Sequence, residues 1–323
     1  MSDTPSPRQS ATTPSSMYVS MPGGSVSTVL LYPAAAQVSS AAAGSPRPLV
    51  VVWPGFGMGA RYYRPLAEEL ARRGFPVAVG ELRGQGSSTA VASLSSRWGY
   101  HDMASQDYPR TVRAAKAWFD LEEDHPTVLL THSMGGQIGA LFLARPEAAE
   151  LGVVGMMGVG TGSPYHRAFP DPEKRRLRIG GIVMRAVSSV LGYWPAGPLD
   201  VANYGRQSGV HLREWARFGR TNSLEDLKGR DIDYMDAMQK VSVPVLLTRF
   251  VDDDFCTVES CRALASLLPK TFARIEELPE TLGHNRWARE PGPVADRLEA
   301  FVGQIRADRT GADSAAAASG EPR

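Results

Sequence analysis

Thr127-Val-Leu-Leu-Thr-His-Ser-Met-Gly-Gly-Gln-Ile-Gly-Ala140 decides how the rest of the chain is read. An apolar run at 127–130 enters a tight turn of small residues around Ser133, and a helix-forming stretch follows. A strand, turn and helix in that order lift one hydroxyl clear of a sheet and aim it at a helix N-terminus, where the dipole favours negative charge. Gly135 suits the crowding of such a turn, whereas Thr131 stands where the G-x-S-x-G pattern has glycine. Taken alone, the stretch also suits an ordinary strand followed by a glycine-rich helix start, so its surroundings must decide.

Outward from it, strand and helix patterns alternate. Tyr62 to Arg73 has helical spacing, Phe75 to Val79 reads as a buried strand, and Met103 to Phe119 is helical. Leu151 to Val159 is a further apolar strand candidate. After an interval the alternation resumes with a strand at Val243 to Thr248, a helix at Glu259 to Leu268, a strand at Ala273 to Leu278 and a helix at Pro293 to Ile305. Such alternation predicts an α/β fold, a mostly parallel central sheet covered by helices on both faces, with ligands at the carboxyl ends of the strands. Upstream, Ser25 to Tyr32 and Pro48 to Trp53 are β-rich and joined by an Ala/Ser/Gly segment, which predicts a hairpin with a long loop. The interval 163–241 holds Trp194, Trp215, helical spacing at Ile182 to Leu191 and a basic cluster at Lys174, Arg175, Arg176 and Arg178, and it predicts an inserted helical cap. The organisation expected is therefore a tail at 1–17, a core at 18–162, the cap at 163–241, the second part of the core at 242–307 and a second tail at 308–323. The two tails are rich in small and polar residues without an apolar face, and are expected to be disordered.

The 35 Lys and Arg residues nearly cancel the 34 Asp and Glu residues, so the overall balance points neither to nucleic acid nor to an anionic membrane. Cys256 and Cys261 are the two cysteines, too few for a disulfide framework or an unaided structural zinc site. No basic start leads into an apolar stretch, and no window approaches the roughly 20 apolar residues of a membrane span. A soluble, cytoplasmic protein is expected, with no metal or organic cofactor implied and the oligomeric state open.

A serine hydroxyl is a poor nucleophile near neutrality and needs a base within reach and a third group to hold that base. On a sheet of this type the chain order is serine, acid, histidine. Beyond the strand ending at Thr248 lies Asp252-Asp253-Asp254, and beyond the next strand lies Gly283-His284. Of the six histidines, His101, His125, His166 and His211 precede the acidic loop and His132 adjoins the serine, which leaves His284 as the base. Asp253 is preferred as the orienting acid for its spacing from Phe255, Cys256 and Thr257, with Asp252 as the alternative. Two backbone amides should hold a tetrahedral oxyanion. One is that of Met134, at the start of the helix, and the other that of Phe56, in the turn Trp53-Pro-Gly-Phe-Gly-Met58.

With these residues in place, the chain from about Pro48 to Arg306, the cap apart, resembles the α/β-hydrolase superfamily. Glu81-Leu-Arg-Gly-Gln-Gly-Ser-Ser88 is similar to the family's D-x-R-G-x-G-x-S segment with Glu81 in place of the aspartate, and Trp98, Asp107 and Gly192-Tyr-Trp-Pro195 add to the likeness. Within the superfamily the closest resemblance is to hydrolases similar to serine aminopeptidases of the S33 type. Departures are Pro54, where many relatives have histidine, and Thr131, where many have glycine.

The function expected is hydrolysis of a small or medium acyl substrate, an ester first and an amide or N-terminal peptide next, through a Ser133, His284 and Asp253 triad and an acyl-enzyme. Acyl transfer by the same triad is the alternative, and a non-catalytic binding protein of the same fold is the third reading. A dehalogenase would need a carboxylate at position 133. Tyr193, Trp194 and Met184 are candidate pocket residues of the cap, although aromatic and Met residues at helical spacing also suit core packing. The basic cluster at 174–178 suits a solvated helix face.

Overall fold

A computed structural model of the protein describes residues 14–35, 47–200 and 204–319. Among the described residues ten strands form, in chain order β1 (Ser15–Ser20), β2 (Val26–Tyr32), β3 (Leu49–Trp53), β4 (Val77–Val79), β5 (Thr127–His132), β6 (Val153–Val159), β7 (Tyr193–Trp194), β8 (Gln207–Ser208), β9 (Val245–Phe250) and β10 (Ala273–Leu278). Eight of them make one sheet in the order β1-β2-β4-β3-β5-β6-β9-β10. β2 runs antiparallel to both its neighbours, and the strands from β4 onward are parallel. Every residue of β3 and β5 is buried, which is why these runs carry no polar alternation.

Helices α1 (Arg64–Arg72), α2 (Tyr108–Trp118), α3 (Met134–Leu143), α4 (Glu173–Leu191), α5 (Gly209–Thr221), α6 (Val258–Ala265) and α7 (Gly292–Ser319) cover or cap this sheet. Two cores result, one on each face. In β3, Val50 and Val52 face a core shared with Leu66 and Leu70 of α1 and Leu298 and Val302 of α7. Leu49, Val51 and Trp53 face the other, shared with Val112 of α2, Ile138 of α3 and Leu264 of α6. The period-2 reversal of side chains along one strand thus feeds both layers.

Three expectations change. β2 and β3 form no hairpin, because β4 lies between them and the hairpin is β1 with β2. The expected tail at 1–17 gives way to β1 at Ser15, where backbone pairing with β2 compensates for a weak apolar pattern, while residues 1–13 lie outside the described residues. At the other end α7 continues through the expected tail as far as Ser319, consistent with the high helix propensity of its alanines. Residues 320–323 lie outside the described residues.

The interval between β6 and β9 holds α4, α5, a short helix at Tyr234–Met238 and a two-stranded ribbon of β7 with β8 that the sequence did not predict. Its own small core is Met184, Trp194 and Leu212, packed against Phe56 of the turn after β3.

Candidate active site

β5 ends at His132, and the chain turns through Ser133 into α3. Ser133 has φ 50° and ψ −120°, a backbone conformation that costs a non-glycine residue of order 1–3 kcal/mol and projects its side chain from the sheet. Thr131, buried beneath this turn, fits because α3 is built of small residues opposite it. A Cβ on Gly136 would lie 2.8 Å from the Thr131 Oγ1, and one on Gly139 would lie 3.3 Å from its Cγ2. The glycine missing from the strand is thus replaced by glycines on the helix.

His284, in the loop after β10, places Nε2 3.0 Å from Ser133 Oγ. Its Nδ1 lies 2.9 Å and 3.0 Å from the two carboxylate oxygens of Asp253, in the loop after β9. A carboxylate can only accept, so Nδ1 carries the proton and Nε2 is left bare to accept from the serine hydroxyl. Asp253 is 1% exposed, and its Oδ1 also accepts from the backbone N–H groups of Phe255 and Cys256, both at 3.0 Å. Asp252 instead points outward and accepts from the Gly283 N–H at 2.8 Å. Of the two aspartates, Asp253 is the one that faces the histidine ring.

The turn after β3 lies beside the serine: a Cβ on Gly55 would come within 3.3 Å of the Ser133 Cβ. Phe56 and Met134, the two proposed amide donors, therefore flank Ser133, one in that turn and the other at the first position of α3. Gln85 Oε1 accepts from Met58 N–H at 3.0 Å, and Glu81 accepts from Ala60 N–H at 3.2 Å and from the Ser87 N–H and hydroxyl at 2.9 and 2.6 Å. The segment Glu81 to Ser88 thus fastens the turn from behind. Arg83 beside it is held by buried Asp107 at 2.5 Å.

Sequence reasoning missed a relay behind the triad. His132 Nε2 lies 2.9 Å from the backbone oxygen of His284, so it must be the protonated nitrogen, and Nδ1 accepts from the Tyr63 hydroxyl at 2.7 Å. The Tyr63 oxygen in turn accepts from Gly55 N–H at 2.9 Å. Burial holds the His132 imidazole well below its ordinary pKa, with the neighbouring His284 adding to the effect, and so keeps it neutral. The Trp287 indole donates to the same His284 oxygen at 2.8 Å. One chain of bonds therefore joins the turn at Gly55 to the histidine loop. Nothing in the sequence signals it, since Tyr63 and His132 are 69 positions apart.

The cap closes over this arrangement. His211 of α5 sets its ring edge-on to Phe56 at 5.3 Å and donates from Nε2 to the Met134 sulfur at 3.0 Å, touching the side chains of both proposed amide donors. Burial lowers its pKa to about 3, and its Nδ1 is buried without a partner. Tyr204 stacks on Phe56 at 4.2 Å. Of the cap residues singled out from the sequence, Met184 and Trp194 form the cap's own core, with the Trp194 indole bonded to Asp200 at 2.7 Å. Tyr193 instead lies under the Arg206 guanidinium at 3.9 Å.

Cys256 and Cys261 are buried free thiols with their sulfurs 3.4 Å apart. Among the described residues no group of three or more His, Cys, Asp or Glu is placed to hold a metal ion, and no helix is long and apolar enough to cross a membrane.

Residues 44–189 match the family model described as serine aminopeptidase, S33. No curated protein matches the sequence. Solved structures do. A soluble variant of monoglyceride lipase from Saccharomyces cerevisiae in complex with a substrate analog is 15% identical, with 94% of this chain and 99% of that one covered and a TM-score of 0.62. An esterase from Exiguobacterium antarcticum is 18% identical over 88% of this chain and 98% of that one, with a TM-score of 0.57. An esterase from a Rhodococcus species is 18% identical over 90% and 99%, with a TM-score of 0.53. The chain has the α/β-hydrolase fold, and over residues 44–189 it is similar to the S33 serine aminopeptidases.

Proposed function

We propose that the protein is a serine hydrolase that cleaves a small or medium acyl ester through Ser133, His284 and Asp253 and a covalent acyl-enzyme. The observation that carries this reading is the unbroken line from Ser133 Oγ through both nitrogens of His284 to the Asp253 carboxylate. Ser133 Oγ attacks the acyl carbon while its proton passes to His284 Nε2, and Asp253 stabilises the imidazolium that forms. The oxygen that gains charge is held by the N–H groups of Phe56 and Met134, where each such donor contributes about 3 kcal/mol to the transition state. The tetrahedral adduct collapses, the alcohol leaves with the proton from His284, and water repeats the sequence to free the acid.

The esterase and lipase names among the structural neighbours support an ester, and the aminopeptidase name of the matching family supports an amide or N-terminal peptide as the second substrate class. Turnover of p-nitrophenyl esters of graded chain length, beside aminoacyl p-nitroanilides, orders these two. Ser133→Ala should lower ester turnover by roughly 10³ or more with unchanged circular dichroism. Undiminished turnover in that variant would remove Ser133 from the mechanism.

A further inference from the structure

We propose that the outer face of the cap helix α4 is a docking surface for an anionic phospholipid bilayer, placed beside the mouth of the Ser133 site. A helix of a soluble domain ordinarily has one apolar stripe, turned inward. α4 has two. Met184 and Ser188 are buried against the cap, whereas Ile179, Ile182, Val183 and Val190 face solvent with 53%, 60%, 42% and 81% exposure. These four recur at helical spacing, with Ala186 among them, so they line one side of the helix opposite the buried one. At the C-terminal end Leu94 continues the apolar surface, 62% exposed and packed so close to Gly192 that a Cβ there would meet it at 2.6 Å.

The charge around this stripe selects the occupant. α4 carries Lys174, Arg175, Arg176, Arg178 and Arg185 against one acid, Glu173. The near-neutral total of the chain, +1, hides this local excess. Along its flank, between α4 and α5, runs a groove of about 590 Å³ lined by Ile182 and by Arg178, Arg185, Arg213, Arg217 and Lys228, which outnumber the two acids there, Glu214 and the Arg217-paired Asp226. Aliphatic side chains on one face with cations beside them are what an interfacial helix needs: the first enter the acyl boundary while the second meet the phosphates. A second copy of the chain is the poorer occupant, because pairing this face with itself would bring two sets of five cations together. The surface also reaches the site. Arg176 lies over the exposed Phe255 ring at 5.9 Å, and that ring is 5.6 Å from the ring of His284.

The proposal stands apart from the hydrolase reading, and its test keeps the two separate. Full-length protein is floated with vesicles of phosphatidylcholine containing phosphatidylglycerol and with vesicles of phosphatidylcholine alone, at low and at high salt. Binding is expected on the anionic vesicles, weakening by roughly tenfold as salt screens the cations. Ile182→Ser combined with Val190→Ser should weaken it by roughly tenfold, with circular dichroism and hydrolysis of a soluble short ester unchanged, since both side chains lie outside the core. Ser133→Ala should float as the parent does, whatever becomes of its turnover. Equal binding to neutral vesicles, no binding to anionic ones, or unchanged flotation of the double variant overturns the proposal. So does a parent protein that light scattering finds dimeric and the double variant makes monomeric, because the face then belongs to a second copy.

Discussion

Removing the hydroxyl of Tyr63 tests whether the relay behind the triad positions its histidine. In Tyr63→Phe the ring keeps its place in the core, so packing is conserved and only the oxygen is lost. That oxygen serves two buried groups: it accepts from Gly55 N–H at 2.9 Å and donates to His132 Nδ1 at 2.7 Å. Each orphaned buried group costs about 1–3 kcal/mol, so after partial relaxation the loss of stability should be about 2–4 kcal/mol. Urea unfolding reads this directly. The catalytic effect should be smaller than loss of a triad member, because the His284 backbone oxygen keeps the Trp287 indole at 2.8 Å. A shift of some tenths of an ångström in His284 and in the turn carrying Phe56 should reduce kcat by roughly tenfold to a hundredfold with little change in KM. Tyr62→Phe is the control, since its hydroxyl donates to Asn285 O at 3.1 Å in an exposed position, and it should stay within about 0.5 kcal/mol of the parent. If Tyr63→Phe matched Tyr62→Phe in both stability and kcat, the relay would have no positioning role.

Three further substitutions separate two neighbouring carboxylates and test a buried one. Asp253→Asn should reduce ester turnover by about 10³–10⁴, because His284 loses the acceptor that fixes its tautomer, whereas Asp252→Asn, which touches only Gly283 N–H, should stay within about threefold. The reverse ranking in the same ester assay would move the orienting role to Asp252. Glu214 of α5 joins the cap to the core by accepting from the N–H groups of Tyr100 and Lys228 at 2.8 and 2.7 Å. Burial raises its pKa from 4.5 to about 7, against the lowering effect of those two bonds and of Arg217, and with Asp102 raising it further. The native state therefore keeps a proton that the unfolded chain sheds, so this contribution is full below pH 4.5 and is lost as the pH rises through about 7. Between pH 5 and pH 7 the stability of the parent relative to Glu214→Gln should fall by about 1–3 kcal/mol in urea unfolding. A difference that stays constant with pH would show that Glu214 does not titrate there.

How far the sequence reveals such a molecule depends on whether a signal is local. The apolar runs of β3, β5 and β6 are contiguous and fully or nearly buried, so composition alone marks them, and the small residues around Ser133 mark the turn. β1 escapes notice because its outward face is solvated: Tyr18 is 76% exposed and only Val19 is buried within the strand. The order of the strands is equally hidden, since β2 meets β4 across 49 positions at Leu30↔Val79, while β3, next in the chain, does not pair with it at all. Position 131 shows the same limit from the other side. Threonine there departs from the pattern as read along one strand, and nothing in residues 127–132 says whether the departure is tolerated. The answer lies in α3, where Gly136 and Gly139 vacate the volume that the threonine side chain takes. A pattern written for one strand records which volume must be small, but the physical requirement concerns the sum of two facing surfaces, and either surface can meet it. The same holds for the triad's surroundings. Ser133, Asp253 and His284 stand out as candidates because each follows its own strand end, whereas Tyr63 and His132 become partners only when the turn before α1 is brought against the end of β5, so their chemistry belongs to the fold and to no local motif.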